Sequence, residues 1–310
     1  MKAGHYPTEI ARIIDVHKST ISPESARNRD LRGYRPTQAH RFAMNRRQYK
    51  VRPRIGDKTW ILVEIALREG WSPEQVSLWL RSNRGIRISH EWIYQYIRND
   101  KLSGGDLYHH LRCQKIRRKR YGAYSRRGQL INRVSIDERP PIVDRRCRIG
   151  DWELDTISGK GYKQAIVSLT ERKSRLTLIR KVGHKSADKV ASAILHLLKP
   201  LTHRLPTMTS DNGKEFARHE TIADRLKARF YCPHPYVSWE RGLNENTNGL
   251  IRQYFPKRHD FTTITQDQID RVMDKLNNRP RKCLGMKTPN QVFFGINPPV
   301  ALVSWIQELN

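Results

Sequence analysis

DWELDTIS (151–158), KQAIVSLT (163–170) and RLTLIRKV (175–182) are three strand-length runs rich in Ile, Val, Leu and Thr, separated by Gly159 with Gly161 and by Glu171 to Ser174. The spacing predicts three meandering strands. Ser186 to Leu198 then has the period of an amphipathic helix. PTMTSDNG (206–213) reads as a fourth strand ending at Asp211 in a tight Asp-Asn-Gly turn. A helix over Thr221 to Lys227, a short strand at Phe230 and Tyr231, and a long helix within SWERGLNENTNGLIRQYFPK (238–257) follow. A last helix, capped by Thr265 and running to about Asn277, precedes the basic, proline-punctuated NNRPRKCLGMKTPNQVFFG. Strands first and then alternating helix and strand predict an α/β domain, a mixed sheet covered by helices.

Working outward, charge decides the class of partner. The 310 residues carry 59 Lys and Arg against 30 Asp and Glu, a formal charge of +29. A globular chain this basic is built to meet a polyanion, and nucleic acid leads. No segment approaches the eighteen or so uncharged residues of a membrane span, and MKAGHYPTEIARII lacks the apolar core of a secretory signal. The expectation is a cytoplasmic protein with no membrane partner. Cys113, Cys147, Cys232 and Cys283 form no CxxC pair, which suits reduced thiols. Cys232 with His234 makes at most half a zinc site, so structural cysteine is the better reading.

Residues 1–150 hold 33 basic and 14 acidic side chains, so the charge is concentrated before the sheet. TEIARIIDVHKSTIS predicts a helix from Thr8 to Ile14, a turn at Asp15 and Val16, and a second helix, the outline of a helix-turn-helix. Pro23 disturbs a second helix capped by Ser19. Ser22 can instead cap a later helix, SPESARN, with Pro23 at its first position. An arginine-rich connector, part helix and part linker, runs from Asn28 to about Pro53. Lys58 to Asn99 predicts three helices, with a capping box at Ser72-Pro73-Glu74-Gln75 and a cap at Ser89; a second DNA-reading module and a small packing bundle fit it equally. LRCQKIRRKRYGAYSRR (111–127) has eight basic residues and no acidic one. Lys115, Arg117, Arg118, Lys119 and Arg120 there are candidate phosphate contacts, with Tyr121 and Tyr124 available to stack. The expected divisions are a first helix-turn-helix region with linker at 1–53, a second helical module at 54–110, a basic linker at 111–145, a catalytic domain at 146–280 and a tail at 281–310.

The chemistry-bearing candidates are acids. Asp155 falls inside the first strand among apolar neighbours, where an acid is costly without a partner. Asp211 ends the fourth strand. Glu245, Asn248 and Arg252 share one face of the long helix at i, i+3 and i+7, which suits a carboxylate on a metal and an arginine on a backbone phosphate. Lys257 closes the same stretch as a further DNA contact. If strands one and four are neighbours, as in ribonuclease H-like sheets, the three carboxylates converge. Two such charges about 4 Å apart repel by roughly 4 kcal/mol at an effective dielectric near 20, so a gathering of three calls for a cation or a raised pKa. Oxygen-only ligands favour Mg²⁺ or Mn²⁺ over zinc, two ions suiting in-line attack on phosphorus. Read singly, Asp211 is a turn residue and Glu245 part of a solvated surface helix.

On GDWELDTI, TSDNGKEF, PYVSWERGLNENTNGLIRQYFPK and LNNRPRKCLG the chain resembles transposases of the insertion-sequence 30 family, a branch of the DDE transposases and retroviral integrases. Thirty-three residues separate Asp211 from Glu245, as that family's DD(33)E pattern requires. The resemblance implies a ribonuclease H-like catalytic domain behind helix-turn-helix modules, with Asp155, Asp211 and Glu245 as catalytic triad and Arg252 as the family's basic residue. It also implies recognition of terminal inverted repeats, 3′-end cleavage, strand transfer into target DNA, and homo-oligomers on paired ends. Pro23, and a start almost at the first helix-turn-helix, depart from the family pattern and lead to the alternative expectation of a shortened, catalytically lost DNA binder. A nonspecific ribonuclease H-like nuclease is a third class.

Overall fold

The computed structural model describes residues 6–31, 33–50, 55–112, 132–161, 164–234, 242–257 and 259–296. Lys115, Arg117, Arg118, Lys119 and Arg120 of the basic run lie outside them. The chain divides into two compact units, 1–60 and 61–310.

The first unit opens with α1 (Pro7–Ile13), whose Glu9 carboxylate accepts the Tyr6 N–H. Asp15, at φ 51°, turns the chain in the left-handed region and leads into α2 (Lys18–Asn28). No later helix begins at Ser22. The His17 imidazole accepts the Ser19 N–H, and α2 runs unbroken through Pro23. Pro23 is exposed, so the carbonyl that loses its N–H partner can be solvated, and the expected break is avoided. A two-residue hairpin of β1 (Arg29–Asp30) and β2 (Gly33–Tyr34) leads to α3 (Pro36–Lys50). Fully buried Asn28 ties these helices together: its amide donates to the Glu24 carbonyl and carboxylate, and its oxygen accepts from Arg46 on α3.

α4 (Asp57–Arg68), α5 (Pro73–Arg84) and α6 (His90–Leu102) bury Val63, Leu67, Val76, Trp79, Leu80, Ile93 and Ile97. Ser72 and Gln75 form the expected capping box and Ser89 caps α6, so local chemistry sets both starts. Trp71 meets Trp79 edge to face at 5.7 Å between ring centres.

After the short α7 (Pro141–Arg145), β3 (Asp151–Ser158), β4 (Ala165–Glu171) and β5 (Thr177–Val182) run antiparallel. α8 (Ala187–Leu198) crosses to β6 (Thr207–Thr209), and α9 (His219–Leu226) leads to β7 (Arg229–Tyr231); both late strands are parallel to β3. The order is β5-β4-β3-β6-β7, which is the ribonuclease H-like mixed sheet. α10 (Gly242–Tyr254), α11 (Gln266–Asn277) and α12 (Pro289–Phe294) complete the domain.

Both faces of the sheet are covered, which is why the strands read as nearly continuous apolar runs. Trp152, Leu154, Val167 and Leu169 face a core shared with α8 and α9, while Ile157, Ile166 and Ile179 face one shared with α10 and α11. Phe293 of α12 is buried in the first core, 5.9 Å from Trp152 between ring centres. Among the described residues no helix is long and apolar enough to cross a membrane. Phe293→Ala is expected to cost about 3–5 kcal/mol, read as a lower midpoint in urea with the slope unchanged.

Candidate active site

The alternation of β3 sends Glu153 and Asp155 to the side of the sheet where α10 packs. The Asn244 backbone N–H donates to the Glu153 carboxylate at 3.3 Å, and the Asn244 amide donates to the Leu154 carbonyl at 3.2 Å. One turn on, the Asn248 amide donates to Asp155 Oδ2 at 2.8 Å. A further turn on, Arg252 Nη2 donates to the Ser158 carbonyl at 2.8 Å. The contacts advance together along both elements, so the helix lies along the strand in the same direction. The face that meets β3 carries Asn244, Asn248 and Arg252. Glu245, one residue past Asn244, stays exposed in the first turn.

Asp155 is half-buried, and its second oxygen accepts the Thr156 N–H at 2.7 Å. Its partner in the strand is thus an amide that itself accepts from Ser168 on β4 at 3.1 Å. Asp211 does not end the fourth strand: β6 stops at Thr209. The cross-strand partner of Thr209 is Glu153, so Asp155 and Asp211 each follow the same parallel pair by two residues. Asp211 is 8% exposed and accepts the Gly213 N–H at 2.9 Å, closing the turn. A side chain at Gly213 would meet the Asp211 and Glu215 carboxylates within 2.7 Å, so any larger residue would displace one of them. Glu215 then pins the loop, accepting from Thr156 at 2.9 Å and pairing with Lys185 at 2.7 Å.

Fully buried Glu153 is the centre of a further network that the residue pattern did not single out. Arg172 binds its other oxygen and also reaches the Val143 carbonyl and Asp144. Arg139 joins Asp144 to Thr209 of β6. Burial raises the Glu153 carboxyl above its usual range against the pull of Arg172. The available signal was its place two residues before Asp155, which puts both acids on one face.

Three carboxylates in an all-oxygen donor set suit a hard cation such as Mg²⁺ or Mn²⁺. Among the described residues, however, no three His, Cys, Asp or Glu side chains stand together as a metal-holding group. The structure sets Asp155 within β3 and Asp211 just past the end of neighbouring β6, each two residues beyond the Glu153–Thr209 pair, and places Glu245 in the first turn of α10, without closing the three around one point. The donors fit the ion in kind. Arg252 spends two nitrogens on the Ser158 and Phe255 carbonyls, and burial lowers its pKa. Lys257 is exposed just beyond α10. Burial pushes the Cys232 thiol up to about 11, keeping it protonated, while His234 bonds Asp137.

With that geometry in view, relatives decide the family. No protein-family model matches the chain. Over 288 residues, 92% of this chain and 88% of the relative, it is 46% identical to the transposase for insertion sequence element IS4351 of Bacteroides fragilis. Over 300 residues, 91% of this chain and 77% of the relative, it is 37% identical to transposase InsI for insertion sequence element IS30C of Escherichia coli (strain K12). The chain belongs to the insertion-sequence 30 family of transposases. Among solved structures, this transposase-family chain is similar to the catalytic core domain of BIV integrase, at 20% identity and a TM-score of 0.37, over 52% of this chain and 98% of that one.

Two outcomes test the scaffold of the site in this family member. Glu153→Gln leaves Arg172 buried beside a neutral partner, and is expected to cost about 3–5 kcal/mol in chemical denaturation. Burial alone would raise Glu215; the Lys185 ammonium and the Thr156 hydroxyl hold it, on balance, below its ordinary 4.5. A lowered folded pKa gives stability that is present above 4.5 and lost as pH falls through the folded value. The stability difference between the native chain and Glu215→Gln is therefore expected to shrink steadily below about pH 4.5, measured by urea midpoints across acidic buffers.

Proposed function

We propose that this chain is a DNA transposase that binds the terminal inverted repeats of an insertion sequence, cuts at the 3′ ends and joins them to target DNA. In this reading Asp155, Asp211 and Glu245 hold divalent cations, Mg²⁺ or Mn²⁺ and two in number. The observation that carries it is the placement of Asp155 and Asp211, each two residues along the chain from the paired Glu153 and Thr209 of neighbouring parallel strands. Family membership and the charge of +29 support it.

Bound cations supply a lowered pKa for the attacking hydroxyl and charge neutralisation at the leaving oxygen. The residues of the chain do the rest. Asn248 orients Asp155 through its 2.8 Å bond, the Gly213 N–H orients Asp211, and the seat of Asn244 on Glu153 sets where the first turn of α10 presents Glu245. The basic residues before the sheet, among them Lys115, Arg117, Arg118, Lys119 and Arg120, track backbone phosphates, with Lys257 beside α10. Protomers pair on the two element ends.

Asp155→Asn and Glu245→Gln are expected to lower Mg²⁺-dependent nicking at the element ends by at least on the order of a hundredfold and to leave end binding within about twofold, as read by gel shift beside a donor-cleavage assay. Undiminished nicking by either variant removes the assigned role. A second reading, a copy that binds ends without cutting them, draws support from the exposed Glu245 and from the lack of a metal-holding group among the described residues. End binding by the native chain with no nicking in Mg²⁺ or Mn²⁺ selects it.

A further inference from the structure

On the side of α10 turned away from β3 lie two adjoining cavities of about 690 and 250 Å³. Asn246, Leu250, Arg281 and Cys283 line both. Their walls bring together five arginines, Arg112, Arg146, Arg175, Arg279 and Arg281, from four separate stretches of chain. Among the described residues the single carboxylate in the lining is Glu74, and it already pairs with Lys282 at 2.7 Å.

Two of these cations each keep a nitrogen that meets no acceptor among the described residues. Arg279 is 3% exposed. One of its terminal nitrogens donates to the Tyr254 hydroxyl at 2.7 Å, while its buried Nε meets no acceptor among the described residues. Arg281 donates to the Leu276 carbonyl at 3.0 Å, and its Nε is likewise buried without an acceptor. The turn between α4 and α5 is built to let Arg279 in: a side chain at Gly70 would come within 2.7 Å of its guanidinium. Burying cations beside one another costs free energy unless an anion joins them. Guanidinium forks match the oxygens of a phosphate or a carboxylate two at a time, and on a chain of charge +29 the polyanion to meet is a phosphate backbone.

We propose that this arginine-walled cleft seats a phosphate group, supplied by the backbone of a DNA strand that passes over the first turn of α10. Asn246, which lines both cavities, is the chain neighbour of Glu245, so the seat adjoins the proposed cutting site on the outer side of the same helix. The identity of the anion as DNA rests on the transposase reading; the phosphate seat itself does not. Held there, one strand would touch the α4–α5 turn, the loop at 279–283 and α10 together.

Cys283 is an exposed thiol in the lining of both cavities and gives a local probe on the full chain. Its alkylation, followed by peptide mass spectrometry, is expected to slow several-fold when a short DNA duplex binds, and Cys147 serves as the internal control. Arg281→Gln is expected to weaken duplex binding by roughly tenfold and to reduce the slope of log affinity against log salt by about 0.9. Arg175→Gln, at a half-buried position, serves where Arg281→Gln fails to fold. Protection of Cys283 by inorganic phosphate at constant ionic strength, with none from the duplex, supports the seat and assigns it to a free phosphate. Unchanged alkylation with both probes, together with unchanged affinity and salt slope in a folded variant, overturns the proposal. Nicking is not read in this experiment, so a chain that never cuts DNA still tests it.

Discussion

The seat of α10 on β3 is the constraint from which the rest of the catalytic unit follows. It is made by polar groups: a backbone N–H on Glu153, an amide on Asp155, an amide on the Leu154 carbonyl and a guanidinium on the Ser158 carbonyl. Apolar packing of Leu250, Ile251 and Phe255 supplies the burial, but such packing tolerates sliding. Directional bonds at successive turns do not, because a shift of one residue leaves several buried groups unpaired at once. That arrangement converts a greasy contact into a fixed register between one acid on a strand and another on a helix.

The network around Glu153 extends the same logic sideways. Arg172, Asp144 and Arg139 link β3 to α7 and to Thr209, the last residue of β6. Asp211 follows two residues later, so the position of that turn depends on an ion network on the face of the strand pair that α10 covers. Buried ion pairs of this kind contribute little net stability over apolar packing. Their value here is geometric: they fix where two chain ends meet.

Much of this was legible in the residues because it is local. Runs rich in Ile, Val, Leu and Thr marked β3 to β5, Ser72, Ser89 and Thr265 announced helix starts, and the spacing of Asp211 and Glu245 carried the family pattern. The misses are tertiary. Pro23 reads as a break until His17 takes the cap and the proline proves exposed. Asp211 reads as a strand residue because nothing in TMTSDNG shows that β6 ends at Thr209. Arg252 also holds the Ser158 carbonyl, a contact that nothing in the residue pattern announces. Glu153 was hidden by its neighbours: a strand covered on both faces has no polar side against which a functional acid stands out.

Adjacent residues of β3 serve opposite faces of the sheet. Asp155 turns to α10, whereas Thr156 bonds Glu215 below the turn of Asp211. Insertion or deletion of a single residue within this strand would exchange the two and reverse every side chain after it. Length variation among copies of such an element should therefore collect in the turn between β3 and β4 and be purged from the strand itself, leaving a rigid ruler with an elastic end.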